Sequence, residues 1–84
     1  MEVANLSGEG TRRLAELQLT GAGMHRLKAR TWNANVMGME EILTLNSSPQ
    51  KLDLAIDVED PTKPWFVRIC SEEAPDSYAL LTGK

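Results

Sequence analysis

Few residues of this chain could carry out chemistry: His25 is its only histidine and Cys70 its only cysteine. A hydrolase or transferase needs a nucleophile, a base and a group that orients the base. Nothing in the spacing of these two residues brings them together. We interpret Cys70 as a small buried hydrophobic residue and His25 as a partly exposed or hydrogen-bonded strand residue. The sequence therefore predicts no catalytic residue and no enzyme.

Metal and cofactor sites are not predicted either. A structural zinc site needs about four thiolate or imidazole ligands, more than this chain can supply. Asp57, Glu59 and Asp60 lie close together but lack the spacing and the turn glycine of a calcium loop, so we interpret them as a solvated strand end. The segments GEG and GAG lack the following Lys-Ser or Lys-Thr of a phosphate-binding loop. We expect no metal and no cofactor.

The stretch HRLKARTWN, residues 25–33, carries the clearest binding signal. In a strand it places Arg26, Lys28, Arg30 and Trp32 on one face, because successive side chains alternate. Sheets that bind single-stranded nucleic acid present cations for the phosphates beside rings that stack on the bases. This face is therefore a candidate binding surface.

Two observations weaken the nucleic-acid hypothesis. The simpler interpretation is that the cations of this face lie opposite Asp53 and Asp57 on a neighbouring strand, as ordinary cross-strand pairs. The chain is also acidic, with a net charge of -3 and a pI near 5.0. It therefore lacks the overall positive field that attracts a polyanion.

Trp65 is a further candidate. It follows Pro64 at the start of a predicted strand, where a tryptophan most simply anchors the core. If Trp65 and Trp32 were both exposed, they would be hot spots for a protein partner. The candidate binding residues are thus Arg26, Lys28, Arg30, Trp32 and Trp65.

The elements that position these residues are mostly strands. In KLDLAIDV, residues 51–58, apolar side chains occupy every second position, which is typical of a half-buried strand. WFVRIC and SYALL predict further strands, with Trp65, Val67 and Ile69 on one face. Residues 11–19 have good helix formers with Gly21 just beyond them, which is typical of a helix, but the alternation of Ala15, Leu17 and Leu19 with polar residues favours a strand. We therefore predict that residues 13–20 and 24–32 pair as a hairpin across the turn signal TGAG.

One helix is predicted, in NVMGMEEILTLN, residues 35–46. Val36, Met39, Ile42 and Leu43 fall on one helical face and Asn35 can cap its start. The alternative is a strand with Met37, Met39, Leu43 and Leu45 on one face, but Glu41 would lie on that face as well. The predicted fold is therefore α+β, an antiparallel sheet of about four to five strands with one short helix. A small five-stranded β-barrel is the alternative.

The 84 residues predict a flexible N-terminal arm, residues 1–10, and a single compact α+β domain, residues 11–84. The single cysteine favours a reducing, cytoplasmic location, and no stretch approaches the roughly 20 apolar residues of a membrane span. We expect a non-enzymatic protein–protein interaction module, a small accessory, adaptor or inhibitory protein that binds another protein or forms a homo-oligomer. The alternative is weak binding of single-stranded nucleic acid through the basic strand face.

Overall fold

The computed structural model of the chain describes residues 1–74 and 76–83, which form strands and no helix. The strands are β1 (Glu2–Ser7), β2 (Arg12–Leu19), β3 (Gly23–Trp32), β4 (Ala34–Met37), β5 (Ile42–Leu45), β6 (Gln50–Val58), β7 (Trp65–Ser71) and β8 (Tyr78–Gly83). The prediction of an α+β domain with one short helix was therefore wrong. Across the described ranges, no helix is present that could cross a membrane.

The strands form two antiparallel four-stranded sheets. The first sheet has the order β1-β2-β6-β4 and the second sheet the order β5-β3-β7-β8. Their facing sides bury one shared core of aliphatic side chains and Trp65, the arrangement of a β-sandwich. Both sheets are open at their edges, so the five-stranded barrel considered from the sequence was also wrong.

The core is built by strict alternation along the central strands. On β6, Leu52, Leu54, Ile56 and Val58 are buried while the residues between them are exposed or half-buried. Trp65, Val67 and Ile69 are buried in the same way on β7. The half-buried strand predicted for residues 51–58 is thus confirmed, because alternation with a period of two directly reports which side faces the core.

The helix predicted for residues 35–46 is replaced by β4, β5 and a crossing between the sheets. β4 pairs with β6 and β5 pairs with β3. Gly38, in the crossing, has a φ of 74°, which a helix does not allow. The apolar residues that suggested a helical face, Val36, Met39 and Leu43, pack against the core from two strands and their connection. Strand pairing overrides the helical pattern.

The predicted hairpin between residues 13–20 and 24–32 was also wrong. β2 pairs with β1 and β6, whereas β3 pairs with β5 and β7. The TGAG segment therefore carries the chain from the first sheet to the second. Within residues 1–10, which were predicted as a flexible arm, Glu2–Ser7 forms the edge strand β1 beside β2.

Asn33 fixes the end of β3, where the chain passes back to the first sheet. Its φ of 57° lies in the left-handed region, which asparagine tolerates better than most residues. Its side-chain amide donates to the carbonyls of Asp60 (2.8 Å) and Pro64 (3.1 Å), and its oxygen accepts from the Asp60 N–H (2.9 Å). This clamp holds the loop between β6 and β7 against the end of β3 that carries Trp32.

Candidate binding site on the second sheet

Four of the five predicted binding residues lie together. Arg26, Lys28, Arg30 and Trp32 are all exposed along β3, while Leu27 between them is buried. Trp32 is 53% exposed. Trp65, by contrast, is 3% exposed and lies in the core, away from the other four.

Neighbouring strands add residues that sequence reasoning missed. In the β3–β7 register Trp32 lies opposite Phe66 and Arg30 opposite Arg68, and Tyr78 of β8 lies opposite Cys70. All of these share the outer side of the second sheet, here called the cationic face. Its members are Met24, Arg26, Lys28, Arg30, Trp32, Ile42, Thr44, Phe66, Arg68, Cys70, Tyr78, Leu80 and Thr82.

The alternation in WFVRIC and SYALL contained part of this signal. If Trp65, Val67 and Ile69 point inward, Phe66 and Arg68 must point outward. What the sequence could not supply was the identity of the neighbouring strands. Only the pairing of β7 with β3 and β8 gathers the rings into one surface.

The cations of this face are not neutralised by Asp53 and Asp57, so the prediction of those cross-strand pairs was wrong. β6 belongs to the first sheet, where Asp57 forms an ion pair with Arg12 at 2.9 Å and Asp53 lies opposite Glu16. The physical reason is the pairing of β3 with β5 and β7, which leaves β6 in the opposite layer.

One ion pair does lie on the cationic face, between Lys28 Nζ and Glu72 Oε1 at 2.8 Å. The hydrogen bond and charge of Glu72 raise the pKa of Lys28, and the bond from Lys28 lowers the pKa of the Glu72 carboxyl. Both side chains remain in contact with solvent, so the pair is screened and adds little stability.

The arginines of the cationic face have no such partner. Within residues 1–74 and 76–83, no carboxylate lies within ion-pair distance of Arg26, Arg30 or Arg68. Arg30 lies directly opposite Arg68, and like charges in that position destabilise a sheet. The Arg68 guanidinium lies 4.5 Å from the centroid of the Tyr78 ring, a cation–π contact.

His25 has a partner that the sequence did not suggest. Its Nδ1 lies 2.7 Å from Ser71 Oγ and its Nε2 lies 3.0 Å from the carbonyl oxygen of Ala22. A carbonyl only accepts, so Nε2 carries the proton and Nδ1 accepts from the Ser71 hydroxyl. A hydroxyl next to an imidazole can be a nucleophile and its base.

Burial argues against that chemistry here. Ser71 is 2% exposed, so a substrate would not reach its hydroxyl. Cys70, its neighbour, points to the opposite side of the sheet, so it does not contact His25. We interpret the imidazole as the hydrogen-bond partner that a buried hydroxyl requires.

No enzymatic or metal chemistry is indicated in the part of the chain that the structure describes. There, no group of three or more His, Cys, Asp or Glu side chains could hold a metal ion. No known protein family, curated protein or solved structure matches the chain. Nothing in the geometry or in these comparisons points to an enzyme.

Proposed function

We propose that this chain is a non-enzymatic protein-binding domain whose cationic face binds an acidic surface of a partner protein. The observation that carries the proposal is the clustering of exposed rings with unpaired arginines on one face of one sheet. We place it in the cytoplasm as a small accessory or adaptor, since its single cysteine cannot form an internal disulfide.

The composition of the cationic face supports a protein partner. Interface cores are enriched in aromatic residues, Met and Arg and depleted in Asp and Glu. The outward positions of β3, β5, β7 and β8 follow that pattern and carry no carboxylate, and Glu72, just beyond the end of β7, is paired with Lys28. Trp, Tyr and Arg are also the most frequent hot-spot residues. We expect Trp32 and Arg68 to be the energetic centre.

The unpaired cations determine the charge of the partner. Opposed Arg30 and Arg68 repel each other, and a carboxylate placed between them would turn this repulsion into attraction. Complementary charges also steer the encounter and exclude wrongly charged partners. A partner surface that carries Asp or Glu beside apolar groups fits this face. A second copy that presents the same face does not, because it would bring the same cations together.

Single-stranded nucleic acid is the second candidate, favoured by the rings and cations that follow one another along the sheet. In the β3–β7 register the Trp32–Phe66 pair is followed by the Arg30–Arg68 pair, and bases stack on rings between phosphate contacts. Exposed aliphatic side chains such as Ile42 argue instead for a protein, because they offer no ring for stacking. The net charge of -3 also opposes a polyanion.

The test is selection of binders from a random peptide library displayed on phage against the immobilised protein. We expect the selected peptides to be rich in Asp or Glu together with apolar residues. Trp32→Ser and Arg68→Ser should each lower the affinity for these peptides by about tenfold or more, as removal of a hot spot does.

Matched controls come from the outer side of the first sheet. Leu14 and Arg12 are exposed there, so Leu14→Ser removes an apolar group about as exposed as Trp32, and Arg12→Ser removes a cation that is more exposed than Arg68. Peptides that depend on these two residues, and not on Trp32 and Arg68, would overturn the proposal. Tighter binding of a single-stranded oligothymidylate than of the peptides, lost in Arg68→Ser, would establish the nucleic-acid candidate in its place.

A further inference from the structure

We infer that the partner is held in part as an extended segment that adds to the open edge of β3 as a new strand, in line with β5. This rests on the proposed function and names the form in which the partner binds. The open edge is defined as residues 28–32, the part of β3 that lies beyond the end of β5. A cleft of about 710 Å³ lies beside the first part of this edge, where Lys28 and Ala29 line it.

Hydrogen-bond geometry shows that this edge is unpaired. Glu72 N–H donates to the Arg26 carbonyl at 2.9 Å, so the even-numbered residues of β3 direct their backbone groups toward β7. On the other side, Leu27 N–H donates to the Glu41 carbonyl at 2.7 Å. The odd-numbered residues of β3 therefore direct their backbone N–H and C=O groups toward β5. β5 pairs with β3 only over residues 23–26.

Two residues are left with free backbone groups by this geometry. The N–H and C=O groups of Ala29 and Thr31 are directed to the same side of β3 as β5, but β5 ends before it reaches them. None of the strands of residues 1–74 and 76–83 pairs with them on that side. Both residues are exposed, although their β7 partners Ile69 and Val67 are fully buried. An unpaired edge of this kind is a template for an added strand.

The cleft beside the edge has two chemically different sides. Leu27, Val36 and Met39 line its inner side, toward the core, whereas Arg26 and Lys28 line the side continuous with the cationic face. Glu41 and Glu72 also line the cleft, and Glu72 is paired with Lys28. Side chains of an added strand would alternate between these two sides. A segment in which acidic and apolar residues alternate satisfies both.

The area of the cationic face supports an additional contact. With strands about 4.8 Å apart and a rise of about 3.3 Å per residue, six residues on four strands cover roughly 400 Å². A partner in a complex of standard size buries about 800 Å² on each side. A strand added at the neighbouring edge supplies part of the difference. A second copy of β3 is a poorer occupant, since Arg30 would face Arg30 across the new pairing.

The probe is a capped peptide in which Asp and Val alternate, with a Lys–Val peptide as the control for charge. We expect the Asp–Val peptide to bind and to slow hydrogen exchange of the Ala29 and Thr31 amides by about tenfold or more, because new strand hydrogen bonds protect them. Methylation of the peptide's backbone nitrogens that face β3 should weaken binding by about tenfold, because it removes those donors.

A backbone variant tests the same hydrogen bonds from the protein side. Ala29→Pro removes an N–H that faces solvent, which an edge strand tolerates. We expect Ala29→Pro to lower the affinity for the Asp–Val peptide about tenfold, whereas Thr82→Pro should leave it unchanged. Thr82 is the matched control because it lies on β8, at the opposite edge of the same sheet. Circular dichroism melts check that both variants fold.

The outcomes separate this inference from the proposed function. Equal binding of the methylated peptide, unchanged exchange at Ala29 and Thr31, or failure of the Asp–Val peptide to bind would each overturn strand addition. If library peptides still depend on Trp32 and Arg68 in that case, the cationic face remains the binding surface. If they do not, both proposals are wrong. Should Ala29→Pro fail to fold, the methylated peptide and the exchange measurement on the unmodified protein decide.

Discussion

The outer sides of the two sheets differ in whether their cations have carboxylate partners. On the first sheet, Arg12 pairs with Asp57 at 2.9 Å and Lys51 with Glu16 at 3.4 Å across neighbouring strands. On the second sheet the central cross-strand pair is Arg30 opposite Arg68, bordered by exposed rings. On the first sheet both of these cations have carboxylate partners, although Asp53 lies opposite Glu16. On the second sheet Arg26, Arg30 and Arg68 have no carboxylate within ion-pair distance among the described residues, and this contrast is the basis of the proposed function.

The largest expected effect compares the inside and the outside of one strand of the first sheet. Ile56 is fully buried and Asp57 is partly exposed beside Arg12. Ile56→Asp buries a carboxylate without a partner and should cost several kcal/mol of unfolding free energy. Asp57→Asn should cost under about 1 kcal/mol, because it weakens only a solvated ion pair. Urea melts measure both, and equal midpoints would mean that the alternation does not report burial.

The next prediction concerns Asn33, the clamp that sets where the cationic face ends. Asn33→Ala loses its side-chain hydrogen bonds to Asp60 and Pro64 and places alanine in the left-handed region. We expect a loss of about 2–4 kcal/mol. Asn33→Gly loses the same bonds but adopts this φ freely, so it should be less destabilised than Asn33→Ala by about 1 kcal/mol. The reverse order in thermal melts would show that backbone strain is not involved.

A matched charge reversal sharpens the contrast between the two sheets. Arg30→Glu creates an attractive pair with Arg68 and should stabilise the fold by about 0.2–1 kcal/mol. Arg12→Glu, on the first sheet, places a glutamate opposite Asp57 and should destabilise by a similar amount. The stabilised Arg30→Glu variant should nevertheless no longer bind the acidic peptides selected from the library. Destabilisation by Arg30→Glu would show that this arginine serves the fold rather than a partner.

The smallest expected effect is the pH dependence of the Lys28–Glu72 pair. Because the folded-state pKa of Glu72 is lowered, its contribution is present above the unfolded-state pKa and is lost as the pH falls through the folded-state value. The raised pKa of Lys28 gives a contribution that is lost only as the pH rises through that higher value. An NMR titration of the Glu72 side-chain carboxyl carbon should show a lowered pKa that returns toward normal in Lys28→Gln. No change in this variant would exclude the pair as its cause.

Local sequence patterns predict which way a side chain points far better than which strand lies beside it. Alternation placed Ile56 and Trp65 toward the core and Arg30 outward, because the period of a strand is a property of its own residues. The neutralisation of Arg30 by Asp53 was predicted wrongly, since pairing between strands depends on contacts distant in sequence. The ring of Tyr78 was missed for the same reason. Its place beside Arg68 exists only once β7 and β8 pair.

Amide chemical-shift mapping with the tightest acidic peptide from the library tests the central claim most directly. If the cationic face and the adjoining edge bind the partner, the largest shifts should fall on residues 26–32 of β3 and on Phe66 and Arg68. The outward residues of β2 and β6, including Leu14 and Asp57, should change little. Largest shifts on β2 and β6 would contradict the account, because they would place the partner on the outer side of the first sheet.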